Sequence, residues 1–481
     1  MNRRMVFRMV GRIIELEAVM LLLPLTVALI YGEWNIARAF LITALIAGAG
    51  GILMTVTFPP RDNVIFAKEG FMIVALAWLL LSAIGALPFV ISKEIPSFCD
   101  AFFETVSGFT TTGASILNNV ELLSHGNLFW RSFTHWIGGM GVLVLIMAII
   151  PPESGRSIHI LRAEMPGPIV GKLVPRIRQT AKILYLIYIA LTAAEVIMLL
   201  CGGMSLFESL VHSFGTAGTG GFGIKSDSIG GYSPYLQWVI AVFMLIFGVN
   251  FNLYYLILIG KVKSTLKSEE LWSYIGIVTV SSALIIINIR PLFDTAAEAV
   301  RHGVFQVSSI ITTTGYSTVN FDTWPGLSRN ILLLLMFVGG CAGSTAGGLK
   351  VSRVVLLFKM IKLNLKKLLH PRTVGTLKFE GKTIDESTLN GIGIYFALYA
   401  GITAIVFLIL SFEPFSMETN LSAAVSCFNN VGPGFASVGP ACSYAGYSAF
   451  SKIVLSFVML FGRLEIYPLL LILFPSTWFK K

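Results

Sequence analysis

Ten long apolar runs, at 13–31, 36–57, 70–91, 128–150, 181–201, 235–260, 272–290, 329–360, 390–411 and 447–474, alternate with short polar stretches along the 481-residue chain. Each approaches or exceeds the roughly 20 residues that an apolar helix needs to cross a bilayer, so each predicts a membrane span. Shorter runs, 98–109, 204–216, 295–311 and 418–428, lie between spans three and four, five and six, seven and eight, and nine and ten. They are too short to cross and suit helices that enter the membrane and turn back. Each opens near an acid, Asp100, Glu208, Asp294 or Glu418. Such an acid either caps open N–H groups at the positive end of the helix dipole or draws cations to an outer mouth; the first reading is preferred.

After each short run the pattern breaks into a glycine-bearing stretch. The four read Thr110-Thr111-Thr112-Gly113, Ala217-Gly218-Thr219-Gly220, Thr312-Thr313-Thr314-Gly315 and Asn429-Asn430-Val431-Gly432. They recur about every 100 residues, the mark of an internal repeat. Ser107, Ser309 and Ser426 each stand six residues before the last glycine, whereas Ser213 stands seven before Gly220, which leaves the second register open by one. The predicted fold is an all-α integral membrane protein, with four helix–pore loop–helix repeats around a central pore and two extra N-terminal transmembrane helices. Residues 1–69 carry the extra pair, 70–150, 181–260, 271–360 and 390–481 the repeats, and 361–389 a basic cytoplasmic connector.

Composition agrees: 55% of residues are hydrophobic and 12% charged, against roughly 25% charged in soluble domains. Glu15 and Glu17 interrupt the first run and no small-residue cleavage site follows it, so it reads as a retained span and not a signal peptide. The net charge of +10 would suit nucleic acid on a soluble protein, but its placement points elsewhere. With both termini cytoplasmic, the inside segments 1–12, 58–69, 151–182, 261–270, 350–388 and 475–481 hold 26 of the 35 Lys and Arg. That is the positive-inside bias, with basic residues facing anionic lipid, and it argues against nucleic acid as a partner. Lys359, Lys362, Lys366, Lys367, His370, Arg372, Lys378 and Lys382 make the stretch within Lys350–Ser387 either a solvated connector or a dock for a soluble subunit. The five cysteines have no metal-ligand spacing; Cys99 and Cys442 both fall toward the outer side, and whether they pair stays open.

Non-helical backbone at membrane depth is tolerable only where protein buries it or it lines a watery path. Four such loops on one axis would form rings of carbonyls able to replace a cation's water. The loop side chains differ between repeats, so the shared ligand is main chain, and carbonyl oxygen suits a weakly hydrated monovalent ion better than Mg²⁺. The candidate ion-binding residues are Thr111, Thr112, Gly113, Gly218, Thr219, Gly220, Thr313, Thr314, Gly315, Asn430, Val431 and Gly432.

Two further features stand out. Gly339–Gly348 places five glycines in ten residues inside span 329–360, each costing about 1 kcal/mol in a helix. This is either close helix packing through small side chains or a broken helix whose loop crosses the pore, with Gly340, Gly343, Ser344, Thr345 and Gly347 as candidate gate residues. Arg463 lies within the last span, where an arginine costs about 2.5–3.5 kcal/mol or more and should face protein or water. An ion pair with Glu465 is the plain alternative, although i and i+2 point to different helix faces. His135 and His212 read as hydrogen-bonded core residues; Asn250 and Asn252 either line the lower pore or bond between helices.

The stretches Gly108–Gly113, Gly220-Gly221-Phe222, Thr312–Ser317 and Asn429–Phe435 resemble those of the Trk/Ktr/HKT superfamily of potassium transporters over essentially the whole chain. The two extra N-terminal spans look most like the membrane subunit of bacterial Trk systems. The resemblance implies potassium-selective uptake across the bacterial cytoplasmic membrane through a loose filter with one glycine per repeat, at Gly113, Gly220, Gly315 and Gly432. Some plant relatives with serine at the first of these prefer sodium, so Gly113 favours potassium. It also implies that the glycine-rich intramembrane loop is a gate, that Arg463 projects into the pore as an electrostatic barrier, and that the protein is a homodimer. The implied partner is a cytosolic ring of Trk-type subunits binding nucleotide (ATP, ADP or NAD). No phosphate-binding Gly-x-x-x-x-Gly-Lys-Ser/Thr loop occurs in this chain, so K⁺ is the expected ligand and nucleotide would act through the partner. The alternative is a sodium-coupled or weakly selective cation transporter. Gly-x-Ser-x-Gly, His-Glu-x-x-His and paired membrane aspartates are absent, which argues against an enzyme, and a mere scaffold would leave four matched loops without purpose.

Overall fold

The computed structural model describes residues 2–59, 67–141, 177–371 and 375–478, and it is built almost wholly from helices. The expected end of span four, 142–150, and the basic stretch up to 176 lie outside the described residues. The first apolar run is the second half of a longer span: α1 (Arg3–Met20) and α2 (Leu22–Ile30) together make a 28-residue segment. α1 crosses α3 (Trp34–Thr57) where Gly11 meets Gly51; a Cβ on Gly11 would lie 2.8 Å from the Gly51 carbonyl oxygen. Close approach through small residues is how helices associate inside a bilayer. Thr55 donates to the Glu15 carboxylate at 2.7 Å across the same interface, which satisfies one of the two acids that interrupt this span.

Each repeat then follows one plan: a long first helix, a short helix, an irregular stretch and a second helix. The first helices are α4 (Ala67–Gly85, extended by α5, Leu87–Ile91), α8 (Ile177–Cys201), α12 (Glu269–Ile289) and α16 (Glu386–Leu410). The short helices are α6 (Phe98–Phe109), α9 (Leu206–Ala217), α13 (Ala296–Ile311) and α17 (Met417–Asn429). The hydroxyls of Ser97, Ser205, Thr295 and Ser416 are the N-caps, and Asp100, Glu208 and Glu418 stand in the first turns. Glu208 completes a capping box with Ser205, and in the third repeat that place belongs to Glu298, so Asp294 is not the capping acid. Asp100 instead pairs with Lys452 at 2.7 Å, and Glu418 with Arg329.

The second helices depart from the continuous spans that hydropathy predicts. α7 (His125–Gly139) stops at glycines. α10 (Pro234–Phe247) and α11 (Phe251–Leu258) meet at an 89° bend. α14 (Gly326–Val338) and α15 (Val351–Leu369) are separated by residues 339–350, and α18 (Ala449–Arg463) and α19 (Tyr467–Leu473) by Leu464–Ile466. So the spans expected at 235–260 and 447–474 are interrupted, as is 329–360. In repeats one and four the end of the second helix lies tight against the end of a short helix: a Cβ on Gly138 would lie 1.8 Å from the Phe109 carbonyl oxygen, and one on Gly462 1.9 Å from that of Phe428. Six helices among the described residues are long and apolar enough to cross a membrane by themselves, and the bent pair adds a seventh. The molecule is a multi-pass membrane protein built, among the described residues, of helices apart from one short two-stranded hairpin.

Candidate functional site: a closed ring of four loops

Each short helix ends in the same backbone figure. The amide of Thr112 donates to Ser107 O, Gly220 to Gly215 O, Thr314 to Ser309 O and Val431 to Ser426 O, at 2.8–2.9 Å. Thr111, Thr219, Thr313 and Asn430 all adopt φ of 55–56°, and Gly113, Gly221, Gly315 and Gly432 follow with φ of 75–100°. This corrects the second register: the terminal glycine is Gly221, with Gly220 equivalent to Thr112, and Gly215 stands where the other repeats have serine. Left-handed backbone is costly for a β-branched residue, yet threonine adopts it in three of the four repeats. Such strain persists only where surrounding structure imposes it, and it concentrates at functional sites.

The loops meet one another in order. A Cβ on Gly113 would lie 2.1 Å from Gly220 O, on Gly221 2.0 Å from Thr314 O, on Gly315 2.3 Å from Val431 O, and on Gly432 2.6 Å from Thr112 O. Repeat one therefore touches two, two touches three, three touches four, and four returns to one. Glycine is required at each junction because a side chain would displace the neighbour's carbonyl.

The threonine run is explained locally. Thr110 and Thr312 donate back to their short helices (2.7 Å to Val106 O, 2.6 Å to Ser308 O) and contact Thr112 and Thr314 at 2.7 and 2.8 Å. In the fourth repeat Asn430 donates to Thr112 Oγ1 at 3.0 Å and to Met459 O at 2.9 Å. Thr111 Oγ1 is buried and makes no hydrogen bond among the described residues.

Behind the first two loops sits an ion pair that sequence reasoning passed over. Arg131 on α7 meets Glu104 on α6 at 2.5 Å, with side chains 3% and 0% exposed. Glu104 also accepts from Ser115 Oγ and the Ile116 amide, both at 2.9 Å. Arg131 donates to Gly223 O at 3.1 Å and stacks 3.7 Å above the Phe222 ring. The pair thus latches the segments that leave the loops of repeats one and two. Two opposite charges in neighbouring apolar runs were the available signal.

The ring separates two unequal spaces. On the glycine side a basin of about 760 Å³ is lined by Gly113, Gly221, Gly315 and Gly432, together with Arg131. On the other side a cavity of about 50 Å³ is lined by Gly139, Gly343, Ser344, Gly347, Lys350 and Arg463, among others. The 339–350 loop fills this side. Gly347 donates to Thr313 Oγ1 at 2.7 Å, Cys341 to Gly248 O at 2.9 Å and Phe251 to Gly343 O at 3.0 Å. Thr345 Oγ1 donates to Phe247 O at 3.2 Å, and Gly340 packs on Gly248. Arg463 bridges repeats: Nη1 donates to Thr345 O at 2.9 Å and Nη2 to Gly138 O and Gly139 O at 2.5 and 2.7 Å. Its alternative partner Glu465 is taken by Arg353 at 2.6 Å.

His135 Nδ1 lies 2.7 Å from Gly108 O and His212 Nε2 3.1 Å from Tyr232 Oη, in packing roles. Asn250 caps α11 through the Asn252 amide at 3.0 Å. All five cysteines are free.

Comparison with known proteins agrees with this architecture. The family model "TrkH: Cation transport protein" matches residues 35–292 and 292–480. The Trk system potassium uptake protein TrkH of Salmonella typhimurium is 38% identical over 99% of this chain and all of the relative. TrkH of Escherichia coli K12 is 37% identical with the same coverage. The crystal structure of the potassium transporter TrkH from Vibrio parahaemolyticus superposes with a TM-score of 0.89 at 33% identity, covering both chains completely. A helical membrane scaffold, fourfold loops and end-to-end relatives give one answer: this chain belongs to the TrkH family of cation transport proteins.

Proposed function

We propose that this chain is the membrane subunit of a bacterial potassium uptake system, and that K⁺ passes down its electrochemical gradient through the ring of four loops. The observation that carries the reading is closure: each terminal glycine faces the carbonyl of the next repeat, so main-chain oxygens replace water around the ion. The carbonyl layer comprises Thr112, Gly220, Thr314 and Val431, with Thr111 Oγ1 as a further oxygen. Each repeat acts as one quarter of the filter, 70–150, 181–260, 271–360 and 390–481, with 1–69 outside the fourfold plan.

The 339–350 loop is the gate, and Arg463 holds it while opposing cations electrostatically. The N- and C-termini are cytoplasmic, which places the 760 Å³ basin outside and the basic 361–389 connector inside. That connector receives a cytosolic nucleotide-binding Trk-type subunit, and two copies of this chain form the working dimer. The relatives named for potassium uptake, and Gly113 at the first junction, favour potassium over sodium.

Growth of a potassium-uptake-deficient bacterium supplied with the partner subunit tests this. Wild type is expected to restore growth at low potassium. Gly113→Ser should weaken rescue and shift rubidium-over-sodium flux toward sodium, because its Cβ meets Gly220 O. Failure of the inserted wild type to rescue would refute the assignment, and equal rubidium and sodium flux through it would favour the weakly selective alternative.

A further inference from the structure

The basic connector is fastened to the membrane helices by one small element. Lys378–Phe379 (β1) pairs with Lys382–Thr383 (β2), Lys378 opposite Thr383. The turn residues Glu380 and Gly381 have φ of 51° and 71°, the left-handed pair that a two-residue hairpin turn demands. Leu377, Phe379 and Ile384 are buried with Leu356 of α15 and Ile392 of α16. Lys359 of α15 pairs with Glu269 and donates to Lys378 O at 2.9 Å. The hairpin and α15 therefore move together.

The turn carboxylate reaches the start of α12. Glu380 Oε1 accepts from Ser268 Oγ at 2.9 Å and from the Glu270 amide at 3.0 Å. Glu270 is itself 5% exposed. Its Oε1 accepts from the Ala342 amide at 2.7 Å and the Ser352 amide at 3.0 Å. Ala342 lies on the ingoing limb of the 339–350 loop, and Ser352 just beyond the outgoing limb. One carboxylate oxygen thus cinches the neck of the loop. A buried amide left without an acceptor is costly, so this one oxygen holds both limbs.

We propose that Glu270 is the positioning residue that keeps the loop closed across the pore, and that the Glu380 hairpin is the lever by which the connector releases it. Withdrawing the hairpin removes the acceptor from Ser268 and the Glu270 amide. That loosens the first turn of α12, which carries Glu270, and so slackens both limbs at once. The inference rests on the loop being the gate.

Rubidium uptake into proteoliposomes holding the full chain alone, with amide hydrogen exchange of 340–352, tests it. Deletion of Gly343–Gly347 serves as the reference for an absent gate. Glu270→Ala is expected to raise uptake at least about tenfold, the equivalent of losing a hydrogen bond at each limb, and to speed exchange of the loop amides. Glu270→Gln keeps an acceptor oxygen and should stay within about threefold of wild type. Glu380→Ala should change uptake and exchange in the same direction as Glu270→Ala, by less, with the rubidium-over-sodium ratio unchanged. If the deletion raises uptake while Glu270→Ala and Glu380→Ala do not, the positioning role is overturned and the gate stands. If the deletion leaves uptake unchanged, the gate reading fails and the inference falls with it. Should Glu270→Ala not fold, Glu380→Ala decides: unchanged uptake and exchange overturn the lever.

Discussion

Glu104→Ala is expected to abolish potassium-supported growth and to lower unfolding stability in detergent by about 3–5 kcal/mol, the usual result of stranding one member of a buried ion pair. The substitution leaves Arg131, 3% exposed, without its counter-charge. It also removes the acceptor of the Ser115 hydroxyl and the Ile116 amide. These groups fix the segment directly after Gly113, so selectivity is lost together with stability. Glu104→Gln keeps volume and one acceptor but not the charge, and it should fall between wild type and alanine. A thermal scan with rubidium and sodium flux on the same preparation checks this. A loss under about 1 kcal/mol with wild-type selectivity would show that the latch is dispensable. Arg131→Lys should be nearly as harmful as removal, because an ammonium cannot span Glu104, Ser115 and Gly223 as a guanidinium fork does.

Arg463→Ala should raise cation flux at least tenfold. A unit charge that a monovalent cation must pass within about 5 Å, at an effective dielectric of about 20, would oppose it by about 3 kcal/mol, about a hundredfold in rate. Its loss also frees the carbonyls of Gly138, Gly139 and Thr345. Arg463→Lys separates the two contributions, since it keeps the charge but not the three-way bridge. Low flux in the lysine variant assigns the effect to charge; flux as high as in alanine assigns it to the bridge. Unchanged flux in both would reject any barrier role.

The architecture was legible in the chain because its cues are local. Apolar length marks the spans, and glycine after a short helix marks each loop. The second register was not, because Gly215 replaces the serine that aligns the other three, and only backbone bonds identify Gly221 as the terminal glycine. Nor were the breaks near Gly248 and Glu465 legible. Hydropathy runs straight through both, and the neighbour at each is the end of a short helix distant in sequence, Thr312 beside Gly248 and Phe428 beside Gly462. The partners of Arg353 and Glu270 were hidden for the same reason: Glu465 lies 112 residues from one, and Ala342 and Ser352 lie 72 and 82 from the other. Of the acids at the short-helix starts, Asp100, Glu208 and Glu418 do stand in the first turns, but the N-caps are neighbouring hydroxyls and in the third repeat the acid is Glu298 in place of Asp294.

The unequal spaces on the two faces of the ring carry a consequence for inhibition. A bulky quaternary ammonium, too wide to thread the loops, finds a seat in the broad antechamber but none beyond the constriction. Blockade by such a compound is therefore expected to be one-sided, from the antechamber; with the termini cytoplasmic, as proposed above, that face is the outer one.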